Sequence, residues 1–148
     1  MNKHLELIKE EFSSYTKDNQ AHISKTKHKN LEILTLSPIV SEKNKSINID
    51  FCYMVEEEGL DVRITYSDKS DKKNTRKVNY AFSSYNKGFD LPNIDKDVIS
   101  VLNEMFEYEV IEGKLKSKVE IEKQIENFVM IIKNSWNLII NHLNELFK

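Results

Sequence analysis

The chain has 148 residues, 22 Lys and Arg against 24 Asp and Glu, and a single cysteine, Cys52. That length suits one domain of common size, and one cysteine forbids an intrachain disulfide. A formal charge of −2 gives no polybasic footprint for nucleic acid, and charge is spread thinly: residues 51–109 are the most acidic part at net −4, too weak a bias to name a partner.

The first element is a helix over about residues 3–16, because Leu5, Ile8, Phe12 and Tyr15 fall on one helical face. No apolar signal segment precedes Glu6, Lys9 and Glu10, so a cytoplasmic compartment is the expectation. The polar stretch from Lys17 to Asn30 breaks the helical pattern, with room for a short strand near His22, Ile23 and Ser24. Leu31 to Leu36 is a short apolar run closed by Pro38, which suits a strand that stops where proline cannot donate to a ladder.

The clearest local pattern follows. Ile47, Ile49, Phe51, Tyr53 and Val55 alternate with Asn48, Asp50, Cys52 and Met54; Leu60, Val62, Ile64 and Tyr66 alternate with Asp61, Arg63 and Thr65; Glu56, Glu57, Glu58 and Gly59 lie between. This predicts an antiparallel hairpin with one buried face and an acidic tip. Val78 to Phe82 repeats the period after the polar turn Asp68–Thr75. Past Gly88 and Pro92, Asp95 and Asp97 complement a helix dipole, and Val98, Val101, Leu102, Met105 and Phe106 supply the apolar face of a second helix.

The last thirty residues read as one long helix, opened by a capping box at Ser117-Lys118-Val119-Glu120 and separated from the preceding element by Gly113. Ile121, Ile125, Phe128, Ile132, Ile139, Leu143 and Leu146 point inward, and Val129, Ile131, Trp136, Ile140 and Phe147 widen the stripe. Lys133, Asn134, Ser135 and Asn137 interrupt the run too early for a membrane span, while Ser135 and His142 spoil a continuous heptad seam. Straight, about 30 residues would make a rod of roughly 45 Å, longer than the roughly 38 Å expected across a domain of this size. Either the rod bends near Asn134 and Ser135 to fold onto one core, or it protrudes and self-pairs. Phe128, Ile132, Trp136, Ile139, Ile140 and Leu143 are the core or self-association residues under these two readings.

The predicted class is therefore α+β: an N-terminal helix, an antiparallel meander of about four or five strands, and two C-terminal helices, the last one long, gathered on one sheet face. No repeat or linker divides the chain.

Gly59, Gly88 and Gly113 are 29 and 25 residues apart. No two approach closely enough for a P-loop, three for a dinucleotide fingerprint, or a pair around a serine for a nucleophile elbow. His4, His22, His28 and His142 include no pair at helical ligand spacing, so neither a metal nor a cofactor is expected. Cys52 reads as a small strand residue, and the carboxylate pairs Asp95/Asp97 and Glu107/Glu109 are explained by helix ends and solvation. Two basic groups remain: Lys25, Lys27, His28 and Lys29, and Lys69, Lys72, Lys73, Arg76 and Lys77. On one side of the fold they would track a phosphate backbone, with Tyr66 or Tyr80 nearby for stacking.

Small size, absent catalytic motifs and an acidic tip favour a non-catalytic protein-binding module, an inhibitor or immunity-type protein that occludes another protein. The Lys, Asn, Ile and Glu content matches an AT-rich bacterial or phage genome. Its expected contact surface is the tip Glu56, Glu57 and Glu58 with the outward positions Asp50, Asp61 and Arg63. A nucleic-acid regulator using the basic loops is the disfavoured alternative, and a helical homodimer serving as a scaffold stands third.

Overall fold

In the computed structural model, residues 2–56, 59–82, 91–105 and 107–147 are described. The order is α1 (Lys3–Glu11), α2 (Ser13–Lys17), β1 (Ala21–His28), β2 (Leu31–Pro38), β3 (Lys45–Met54), β4 (Gly59–Asp68), β5 (Arg76–Phe82), α3 (Lys96–Met105), β6 (Tyr108–Ile111), β7 (Lys114–Ser117), α4 (Ile121–Asn134) and α5 (Trp136–His142). Strands β1 to β5 pair antiparallel in sequence order, each with its neighbour in the chain, giving the α+β meander expected from the alternating runs. Phe106 and Gly88 lie outside the described residues.

Period-two alternation places one set of side chains against the helices. Leu34, Leu36, Ile47, Ile49, Phe51, Val62, Ile64 and Tyr66 are fully buried there, beneath Leu5 and Ile8 of α1, Phe12 at the α1–α2 junction, and Phe128 and Ile132 of α4. All these side chains belong to one apolar cluster. Val55 departs from the expected alternation: β3 ends at Met54, and Val55 is exposed in the following turn.

Helix α1 starts where the Asn2 side chain accepts the amide hydrogen of His4 (2.7 Å), a side-chain N-cap. The chain leaves α2 through Asn19 in the left-handed region (φ 56°), one of the few residues besides glycine that adopts it readily, and enters β1. The polar stretch after residue 17 thus holds a full eight-residue strand rather than a short one. Only Ala21 is buried in it and Ile23 is half-buried, so no hydrophobic alternation announced this edge strand. Its register comes from pairing with β2, from Ala21 opposite Pro38 to His28 opposite Leu31.

The β6–β7 hairpin was not expected. Glu112 (φ 51°) and Gly113 (φ 77°) form its two-residue connection, both left-handed, as tight hairpins prefer. Gly113 was the available signal, but Val110 and Ile111 are exposed, so burial did not impose a recognisable pattern.

A further correction concerns the start of the C-terminal helix. Ser117 ends β7 instead of capping a helix: its hydroxyl donates to the Met105 carbonyl (2.9 Å) and accepts the Val119 amide (3.2 Å). The N-cap is Glu120, without a side-chain cap, and Gln124 secures the first turn by donating to the Val119 carbonyl (2.8 Å) while accepting the Leu60 amide (3.3 Å). Of the two geometries expected for the rod, the bend near Asn134 and Ser135 is present: Ser135 (φ −98°, ψ 8°) ends α4 and starts α5. Segments of about 21 and 10 Å at the helical rise fit within the domain. Phe128, Ile132, Trp136, Ile139 and Leu143 are consequently buried within this chain, with Ile140 half-buried.

Candidate protein-binding surfaces

The sheet face away from the helices is polar and internally bonded. Ser37 donates to Asn48 (2.7 Å), and one strand further Thr65 donates to Asn79 (2.8 Å). In the adjoining row Thr35 donates to Asp50 (2.6 Å), whose other oxygen faces Arg63 at 3.4 Å. The predicted surface residues Asp50, Asp61 and Arg63 share this face, with Asp61 opposite Cys52 in the next row. Asp50 is already engaged by Thr35 and Arg63 and its side chain is only 14% exposed, leaving little for a partner to take up. Burial pushes the Cys52 thiol up to about 11, with Arg63 opposing, so it stays protonated near neutrality and is a poor nucleophile.

At the hairpin tip, Glu56 accepts from the Asn30 side chain (2.9 Å), and Val55 donates its amide to the Asn30 carbonyl (3.0 Å). These bonds tie the β3–β4 turn to the β1–β2 turn, which carries Lys29 beside Asn30. Glu56 is therefore held against that turn. Glu57 and Glu58 lie outside the described residues.

The two basic groups do not converge. Residues 25–29 run toward the β1–β2 turn, whereas Lys69, Lys72, Lys73, Arg76 and Lys77 surround the β4–β5 turn at the opposite end and opposite edge of the sheet. Eight strand residues alone separate the two ends by about 25 Å. Lys25 and Lys27 also share the helix-side face, where Lys25 meets Glu6 at 3.5 Å, while His28 falls on the other. Arg76 is committed structurally: it pairs with buried Asp68, donates to the Phe147 carbonyl (3.3 Å) and stands 5.1 Å from the Phe147 ring centroid.

Asp68 also accepts from the Ser70 hydroxyl and the Ser70 amide, the latter at 2.9 Å. These bonds, followed by Arg76, hold its carboxyl down at about 2. A carboxyl depressed in the folded state adds stability above its unfolded value near 3.9, and that contribution disappears as pH falls through about 2. Asp68→Asn is expected to be less stable than the parent at neutral pH, the gap narrowing between about pH 4 and pH 2. Denaturant midpoints measured across that range check the result.

Between β4, β5 and α5, the Tyr66, Tyr80 and His142 rings meet edge to face with centroids 5.3–5.8 Å apart. The Tyr80 hydroxyl lies 2.7 Å from His142 Nε2, and burial lowers the His142 pKa. Tyr66 instead donates to the Ile139 carbonyl (2.6 Å), so this cluster fastens α5 to the sheet. Among the described residues no three His, Cys, Asp or Glu side chains group as metal ligands, and no helix is long and apolar enough to cross a membrane.

An apolar cleft of about 430 Å³ lies between α1 and α4. Ile125 and Val129 are its buried floor; Leu7 and Met130 stand on it 46% and 47% exposed. Glu11, Glu122 and Glu126 rim it, with Lys133 bonded to Glu11 at 3.1 Å. Sequence periodicity passed over this site because it selects residues on the buried stripe. Leu7 falls beside the stripe of Leu5, Ile8 and Phe12, and Met130 opposite that of Ile125, Phe128 and Ile132. An apolar side chain off the buried face was the signal to follow in each helix.

Comparison of the chain with protein-family models, curated proteins and solved structures found no match.

Proposed function

We propose that this protein is a non-catalytic binding module that acts by occupying another protein, and that the α1–α4 cleft is its principal contact surface. One observation supports the reading most strongly: Leu7 and Met130 project nearly half-exposed apolar side chains over an apolar floor, in a helix-lined concavity. Apolar anchors in such a depression, rimmed by polar groups, are what a protein contact needs to exclude water. The outer sheet face supports the reading less, because its Asp50 carboxylate already has partners in the chain. Inhibition, as in an immunity-type protein, is the form of occupancy we infer.

Photo-crosslinking residues placed at Leu7 and Met130, with Ser24 on the outer sheet face as control, test the surface in lysate of the source organism. We expect one and the same protein to be captured from both cleft positions and not from Ser24. Capture from Ser24 alone, or no product from either cleft position, would remove the cleft as the contact surface.

A further inference from the structure

We infer that the occupant of the α1–α4 cleft is a basic amphipathic helix of the partner. This inference rests on the binding-module reading but goes further, naming the chemistry of the segment that fits.

Shape provides the first argument. Ile125, Val129 and Lys133 border the cleft at steps of four residues, the spacing of one helical ridge, and Glu122 extends the same face. A ridge of that period accepts another helix, whose own side chains at every third and fourth position enter between the residues of α4 and reach Leu7 across the cleft.

Charge supplies the second argument. The rim carries three carboxylates against one lysine, and the lysine already serves Glu11. The end near Glu122 and Glu126 is left anionic; Glu126 is 70% exposed, and its ion pair with Lys123 at 3.3 Å is a solvated i,i+3 contact of little strength. Basic residues flanking the anchors of an incoming helix would meet that end. A second copy of this chain would bring the same rim of three carboxylates and one lysine. Charge complementarity thus favours a different, basic chain over self-pairing.

The test uses the full chain and two labelled synthetic helices of about 18 residues with the same leucine anchors, one flanked by lysines and the other by glutamates. Fluorescence anisotropy should show the lysine form binding at least about tenfold more tightly at low salt, the advantage shrinking as salt rises. Met130→Lys should abolish its binding, and the double variant Glu122→Lys, Glu126→Lys should invert the preference between peptides. All three positions are exposed, and an unchanged thermal melt verifies that each variant is folded. Equal affinity for both peptides would overturn the charge assignment while leaving the cleft as a binding surface. Binding of neither peptide, or a concentration-dependent dimer in sedimentation that Met130→Lys dissolves, would overturn the proposed occupant.

Discussion

Trp136→Ala is expected to destabilise the protein by about 3–5 kcal/mol, the usual cost of removing a large aromatic from a packed site. Trp136 opens α5 just after the Ser135 interruption and is nine-tenths buried. Its ring meets Tyr15 edge to face at 4.7 Å and Phe12 at 6.5 Å, so it holds the final helix to the α1–α2 junction. At this chain length the loss corresponds to a fall in melting temperature on the order of 10 °C. Because the indole is covered by residues of its own chain, the sedimentation coefficient of the folded variant should match the parent's. An unchanged melting temperature would show that this ring is not packed as described; a changed sedimentation coefficient would place it at an interface between chains.

The second large effect is expected from Tyr66→Phe. The Ile139 carbonyl lies at the C-terminal end of α5, where intrahelical amide donors run out, and Leu143 turns its amide to Ile140 instead (3.2 Å). The buried Tyr66 hydroxyl takes over as donor to Ile139 at 2.6 Å. Phenylalanine keeps the ring and leaves that acceptor unsatisfied, at a cost of about 1–3 kcal/mol. Burial pushes the Tyr66 phenol up, so it remains a protonated donor throughout the range in which the protein is handled. The loss should therefore be nearly the same at pH 5 and pH 9, and, unlike that of Asp68→Asn, it should not fade between about pH 4 and pH 2. Urea midpoints with an unchanged m-value check it, since a changed slope would signal a different unfolding reaction.

These two side chains also show what was legible in the sequence. Trp136 and Tyr66 fell on predicted apolar faces because burial imposes a period on a chain, and β3 and β4 were readable for the same reason. Where burial imposes no period, the pattern disappears. Edge strand β1 has a single buried residue and the β6–β7 hairpin exposes Val110 and Ile111, so each is shaped by pairing partners that a local pattern does not reveal. The Ser135 break is a tertiary choice between two geometries that the same residues permit. Ser117 fitted a cap by spacing, yet Met105 was close enough in space to claim its hydroxyl. The candidate cleft was illegible for a related reason: Leu7 and Met130 are 123 residues apart, and only the packing of α1 on α4 makes them neighbours.

That separation has a kinetic consequence. Each pairing in the five-stranded sheet joins consecutive strands, so the sheet can grow hairpin by hairpin as the chain appears. Helix α1 has no such local partner in α4: from Glu11 to Ile121 is 110 residues, about 6–22 s of synthesis at roughly 5–20 residues per second. During that interval Leu5, Ile8 and Phe12 wait for much of their cover, and the wall of the cleft formed by α4 does not yet exist. A nascent chain stalled before Ile121 would thus display the α1 half of the surface without its counterpart, so the cleft exists only once synthesis has passed α4 and the two helices have packed.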